Sequence, residues 1–125
     1  MRRADSRGVR EDGFTLVELL VVIVIMGVLA SIAVSSYTGA RVRATDAAAK
    51  SNIDVALPAI QAYYLDNGTY VGMTLSRLQS SYSRGIRNIT IVSVTATGYC
   101  VRSTVAGRNW YKAGPRASIT TTRCR

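Results

Sequence analysis

Hydrophobic and polar positions divide the chain into stretches of different character. Residues 1–13 are short, polar and basic, and an apolar run then begins abruptly at Phe14 and continues to about Val34, broken only by Thr15, Glu18, Gly27 and Ser31. As a helix, about 20 such residues cover the ~30 Å hydrocarbon core of a bilayer. From Arg41 to about Leu65 the pattern becomes amphipathic, with Val42, Ala49, Ile53, Leu57, Ile60 and Tyr64 recurring at spacings of three, four or seven, which predicts a helix with one apolar face. Ala44 and Ala47 to Ala49 favour helix, and Asp46 and Lys50 are expected to pair across one turn on its outer side. Pro58 falls inside this pattern and predicts a kink or break over Val55 to Pro58, and Asp66-Asn67-Gly68 supplies a helix stop.

Past that stop, Leu75 to Leu78 predicts a short turn or helix within a connector that runs to Gly85. Ile86 to Thr97 is rich in β-branched residues, and Tyr99 to Val105, Asn109 to Lys112 and Ala117 to Thr122 are further extended candidates, separated by turns at Gly98, Gly107 and Gly114-Pro115. The expected fold class is α+β: a long N-terminal helix leading into a small head, in which a three- or four-stranded antiparallel sheet packs on the amphipathic helix. The implied segments are 1–13, 14–36 and 37–125, the last made of a helix over 41–65, a loop over 66–85 and a sheet over 86–125.

Charge sharpens the picture. The 125 residues carry a formal net charge of +9, and no acidic side chain follows Asp66, whereas Arg77, Arg84, Arg87, Arg102, Arg108, Lys112, Arg116, Arg123 and Arg125 all do. So one-sided a surface attracts anions such as nucleic acid, anionic lipid or cell-wall polymer; general host solubility habits produce the same bias. The arginines Arg2, Arg3, Arg7 and Arg10 would hold the N-terminal end in the cytoplasm and place the head outside. In that compartment a bridge between Cys100 and Cys124, the two cysteines present, is the simplest reading, with a reduced pair as the alternative.

Glu18 is the anomaly of the apolar run. A carboxylate in a membrane helix costs on the order of 2.5 to 3.5 kcal/mol on insertion scales and marks function by default, unless it lies close enough to the end to reach water. Ala30, Ser31 and Ala33 can be read loosely as a secretory cleavage site, but that reading leaves Glu18 unexplained. The string Gly13-Phe14-Thr15-Leu16-Val17-Glu18-Leu19-Leu20-Val21-Val22 resembles the processing and anchor motif of type IV prepilins and of the pseudopilins of type II secretion. The resemblance implies that residues 1–13 are a leader, cut between Gly13 and Phe14 by a membrane peptidase that methylates the new amine of Phe14. A charged amine at the end of an apolar helix needs a countercharge. Glu18 of a neighbouring subunit would supply it and fix the axial stagger, because a wrong stagger buries both charges unpaired. The resemblance is strong over about the first 40 residues. It departs at Val34-Ser35-Ser36, where many relatives carry a kinking proline; the serines and Gly39 are expected to loosen the helix there. It also implies a C-terminal disulfide loop, here Cys100 to Cys124.

Enzyme chemistry has little to work with. There is no histidine, and the carboxylates after residue 13 are Glu18, Asp46, Asp54 and Asp66, with Asp46 and Asp54 read as a solvated helix face rather than an acid pair. Phosphate-loop, dinucleotide and nucleophile-elbow motifs are missing, and no residue set points to a metal or other cofactor. Major pseudopilins typically hold calcium in the head, so the lack of acids there tilts the expectation toward a pilus or competence subunit. The leading expectation is a structural filament subunit in the cytoplasmic membrane. Its implied partners are copies of itself or other pilins, membrane lipid, the prepilin peptidase, an assembly ATPase and a membrane platform. The competing expectation is a minor competence pilin or pseudopilin that primes a type II secretion pseudopilus or whose basic head binds DNA during uptake through Arg77, Arg84, Arg87, Arg102, Arg108, Lys112 and Arg116, with Tyr70, Tyr82, Tyr99, Trp110 and Tyr111 available for stacking if exposed.

Overall fold

The computed structural model describes residues 13–125; Arg2, Arg3, Arg7 and Arg10 lie outside them. Five elements follow one another: α1 (Leu16–Asn67), α2 (Leu75–Ser81), β1 (Ile89–Val94), β2 (Tyr99–Val105) and β3 (Arg108–Ala113). Contacts divide the chain into two units, one ending at Thr38 and the other spanning Gly39–Arg125.

In the first unit α1 is apolar on every side. Its apolar residues from Leu16 to Val34 remain exposed to their own chain, and the helix is long and apolar enough to cross a membrane. The expected loosening near Ser35, Ser36 and Gly39 does not interrupt the helix. Thr38 Oγ1 returns to Ser35 O at 3.0 Å, a bond that is made without breaking the ladder.

In the second unit the helix carries the core. Ala49, Ile53, Ala56, Ala59, Ile60 and Tyr63 are buried, whereas Leu57 and Tyr64 are half-buried and Val42 is exposed. The buried stripe is therefore rotated from the one the larger apolar residues predict, and half of its members are alanines. No break occurs at Pro58: α1 continues to Asn67. Pro58 and Asp54 are both exposed, so the Asp54 carbonyl that Pro58 leaves without a donor can turn to water. Gly68, at φ +67°, ends the helix by donating its N–H to Tyr64 O at 2.7 Å.

The sheet is an antiparallel meander in the order β1-β2-β3. Ile89 and Ile91 of β1 lie opposite Ser103 and Val101 of β2, and this face joins Ile53, Ile60, Leu78 and Ile86 in the core. Val92 is the extra residue of a bulge between Ile91 and Ser93. Ala106 and Gly107, at φ 48° and 77°, form the two-residue link to β3 that matches strand twist. The connector is more ordered than expected: α2 is capped by Thr74, whose side chain accepts from Arg77 N at 3.3 Å. Of the extended candidate over 117–122, one bridge survives, Tyr111 with Thr120. Beyond it the chain turns away to join Cys124 to Cys100, 24 residues apart with their Cα atoms at 6.0 Å.

One polar cluster pins the hairpin to α1. Asp46 accepts from Arg108 Nε, from Arg108 Nη2 at 3.0 Å and from Trp110 Nε1 at 3.0 Å, while Lys50 Nζ sits 4.2 Å from the centre of the Trp110 ring. Asp46 and Lys50 are thus not an outer pair: both turn toward β3, which brings a better partner to each. Hydrogen bonds from Arg108 and Trp110 hold the Asp46 carboxyl below its ordinary range.

Two measurements on the full chain in detergent micelles check these staples. Cys124→Ser should lower the unfolding free energy by roughly 3 to 4 kcal/mol, read by denaturant titration; an unchanged midpoint would contradict a stapling role. The stability Asp46 contributes is fully present above about pH 4 and is lost as pH falls through its lowered native value. The melting-temperature advantage of wild type over Asp46→Asn should therefore shrink on acidification below pH 4, and an advantage equally large at pH 3 would contradict the clamp.

Candidate assembly surfaces

Two regions carry the chemistry singled out by the sequence: the start of α1 and the basic face of the head. At the first, Gly13, Phe14 and Thr15 precede the helix, and Phe14 is 87% exposed. Glu18 stands in the first helical turn, where a carboxylate is favoured by the helix dipole. Its backbone N–H donates to Thr15 Oγ1 at 3.2 Å, so Thr15 is the N-cap. Among the described residues the Glu18 carboxylate has no hydrogen-bond or ionic partner. It is thus available to a group from another molecule. The Thr15 cap was legible in the sequence as a Thr-x-x-Glu spacing, although hydrophobic patterning passes over it.

The basic face is less uniform than the sequence suggests. Arg77, Arg84, Arg87 and Arg116 are exposed and, among the described residues, make no salt bridge. Arg108, in contrast, is committed to Asp46. Lys112 is only 8% exposed and donates Nζ to the Ala117 carbonyl, so it holds the C-terminal loop rather than a ligand. Arg102 is half-buried, with its Nε enclosed and unpartnered.

The stacking platform expected for nucleic acid does not form. Tyr70, Tyr99 and Tyr111 are buried, and Tyr70 stacks on Tyr64 at 4.6 Å and meets Tyr99 edge-on at 4.9 Å. Burial pushes the Tyr99 hydroxyl up to about 12. Tyr82 gives its hydroxyl to Asp66 at 2.9 Å, and Trp110 is engaged by Asp46 and Lys50. A small core with few large residues recruits its aromatics for packing. Asp46 is the residue whose role sequence reasoning missed: its partner Arg108 lies 62 positions away, and no local pattern encodes that meeting.

Comparison with known proteins agrees with the N-terminal geometry. Residues 9–34 match the prokaryotic N-terminal methylation motif. The chain is 31% identical over 110 residues to the type IV wide pilus major component PilA4 of Thermus thermophilus, covering 86% of this chain and 84% of that protein. It is 46% identical over 63 residues to the type II secretion system core protein G of Pectobacterium carotovorum, and 44% identical over 61 residues to that of Escherichia coli. Those matches take in about half of this chain and only 40% and 42% of the secretion proteins. No solved structure gives a significant match. With the similarity to the wide pilus component running through anchor and head alike, the chain belongs to the type IV pilin and pseudopilin family.

Proposed function

We propose that this chain is a structural subunit of a type IV pilus or related filament. The observation that carries the reading is the stretch of α1 from Leu16 to Val34, which is apolar on all sides and exposed throughout among the described residues. Such a surface requires lipid before assembly and neighbouring helices afterwards.

Three stages follow. Residues 1–13 serve as a leader, the Arg2 to Arg10 end stays in the cytoplasm, and the head lies outside the membrane. A prepilin peptidase then cuts between Gly13 and Phe14 and methylates the Phe14 amine. Finally, driven by a cytoplasmic ATPase and a membrane platform, anchors pack side by side, with the Glu18 carboxylate meeting the Phe14 amine of a neighbour. Copies of this chain or other pilins are the partners, and catalysis has no part in the role. Similarity that extends through the head to the wide pilus component favours a pilus over a secretion pseudopilus, whose relatives match about half the chain. Neither the relatives nor the buried tyrosines support the DNA-binding alternative.

Mass spectrometry of the membrane-extracted protein tests the maturation step. A chain beginning at N-methylated Phe14 is expected; an intact Met1, or a start after Ala33, would overturn it. Glu18→Ala should be inserted and processed normally yet enter filaments at least about tenfold less, since each misplaced amine loses its countercharge. Wild-type incorporation of that variant, read by quantifying sheared filaments, would sink the pairing.

A further inference from the structure

The bond between Gly13 and Phe14 lies outside α1, in backbone that is neither helix nor turn. A side chain placed on Gly13 would meet nothing within 4 Å, and Phe14 is almost fully exposed. A protease needs this state. Within the first turn of a helix the carbonyl would accept a hydrogen bond from four residues on, and the coiled backbone could not lie extended in a cleft.

Hydrophobicity does not explain why the helix stops where it does. Phe14 continues the apolar run, and the next residue upstream with a side-chain oxygen to cap a helix is Asp12. Were Asp12 the cap, Gly13 and Phe14 would become the first two helical residues, with the bond between them inside the first turn. What sets the boundary is the bond from Glu18 N to Thr15 Oγ1, which makes Thr15 the N-cap and Leu16 the first helical residue.

We infer that Thr15 is a positioning residue for maturation: its cap fixes the start of α1 so that the Gly13–Phe14 bond stays unwound and open to hydrolysis. The inference rests on the maturation reading. In that step water adds across the amide, leaving a carboxylate on Gly13 and a free amine on Phe14. The Thr15 side chain touches neither product group; it acts through the helix. Glu18 thereby has two parts, its backbone N–H closing the cap and its side chain remaining for assembly.

The test compares cleavage rates of the full chain in detergent micelles by a prepilin peptidase, for wild type and for Thr15→Val, Thr15→Ala, Thr15→Ser and Thr15→Asn. Valine keeps the shape of threonine and loses the acceptor, whereas asparagine changes the shape and keeps a strong cap. Cleavage should slow in the valine and alanine variants by up to about fivefold, the limit a typical cap of about 1 kcal/mol sets, and stay near wild type for serine and asparagine. Hydrogen exchange at the Leu16 and Val17 amides gives a second readout, because an earlier helix start would give them the carbonyls of residues 12 and 13 as partners, with protection expected to rise in the valine and alanine variants only. Equal rates throughout, or rates that follow side-chain shape so that valine matches wild type and asparagine fails, would overturn the inference. Cleavage of wild type with no dependence on Thr15 removes this inference alone. No cleavage of wild type between Gly13 and Phe14 removes the maturation reading with it.

Discussion

Everything about this molecule depends on an apolar surface that its own fold does not cover. A side chain such as Leu or Val left in water forgoes roughly 1.5 to 3 kcal/mol of burial, and α1 from Leu16 to Val34 presents such side chains on all its faces. The chain is therefore incomplete by itself in a thermodynamic sense: its first helix is a fixed structure waiting for a solvent. Lipid and a bundle of like helices are both apolar, so exchanging one for the other costs little hydrophobic energy, and packing with a few polar contacts decides between them. That near balance is what makes a single carboxylate at Glu18 decisive in the proposed assembly.

The head solves a different problem, that of building a core from few large residues. Ala49, Ala56 and Ala59 give the buried helix face little bulk, and aromatics supply much of the remainder: Tyr63, Tyr70 and Tyr99 are buried rather than displayed. Two staples then replace the area that a larger core would provide. The Cys100–Cys124 bridge closes the C-terminal loop, and Asp46 holds Arg108 and Trp110 of the terminal hairpin against the helix. The same economy removes the face that would have stacked on bases, because a tyrosine spent on packing is unavailable for recognition.

The positive charge of the head is redistributed by folding. Of the cations following Asp66, Arg108 is neutralised locally and Lys112 is drawn inside, leaving exposed arginines such as Arg77, Arg84, Arg87 and Arg116. Around repeated heads these charges would repel over a Debye length of about 8 Å at physiological salt. Counterions or acidic surfaces between heads relieve that repulsion, so packing of the heads carries an electrostatic constraint that the anchors do not share.

The sequence by itself determined what depends on local periodicity and local chemistry: the long apolar helix, the helix stop at Gly68, strand β2 with its limits at Tyr99 and Val105, and the family motif from Gly13 to Val22. The disulfide was readable because two cysteines leave a single intramolecular pairing. Only the tertiary structure decided which face of the second half of α1 is buried, since a stripe of alanines carries little hydrophobic signal. It also decided that Pro58 leaves the helix unbroken, because that depends on whether the freed carbonyl faces solvent. The fates of Asp46, Arg108 and Lys112 likewise rest on contacts between positions far apart in the chain. A charged residue's role is fixed by what folding places beside it, and periodicity reports only the neighbours it has along its own element.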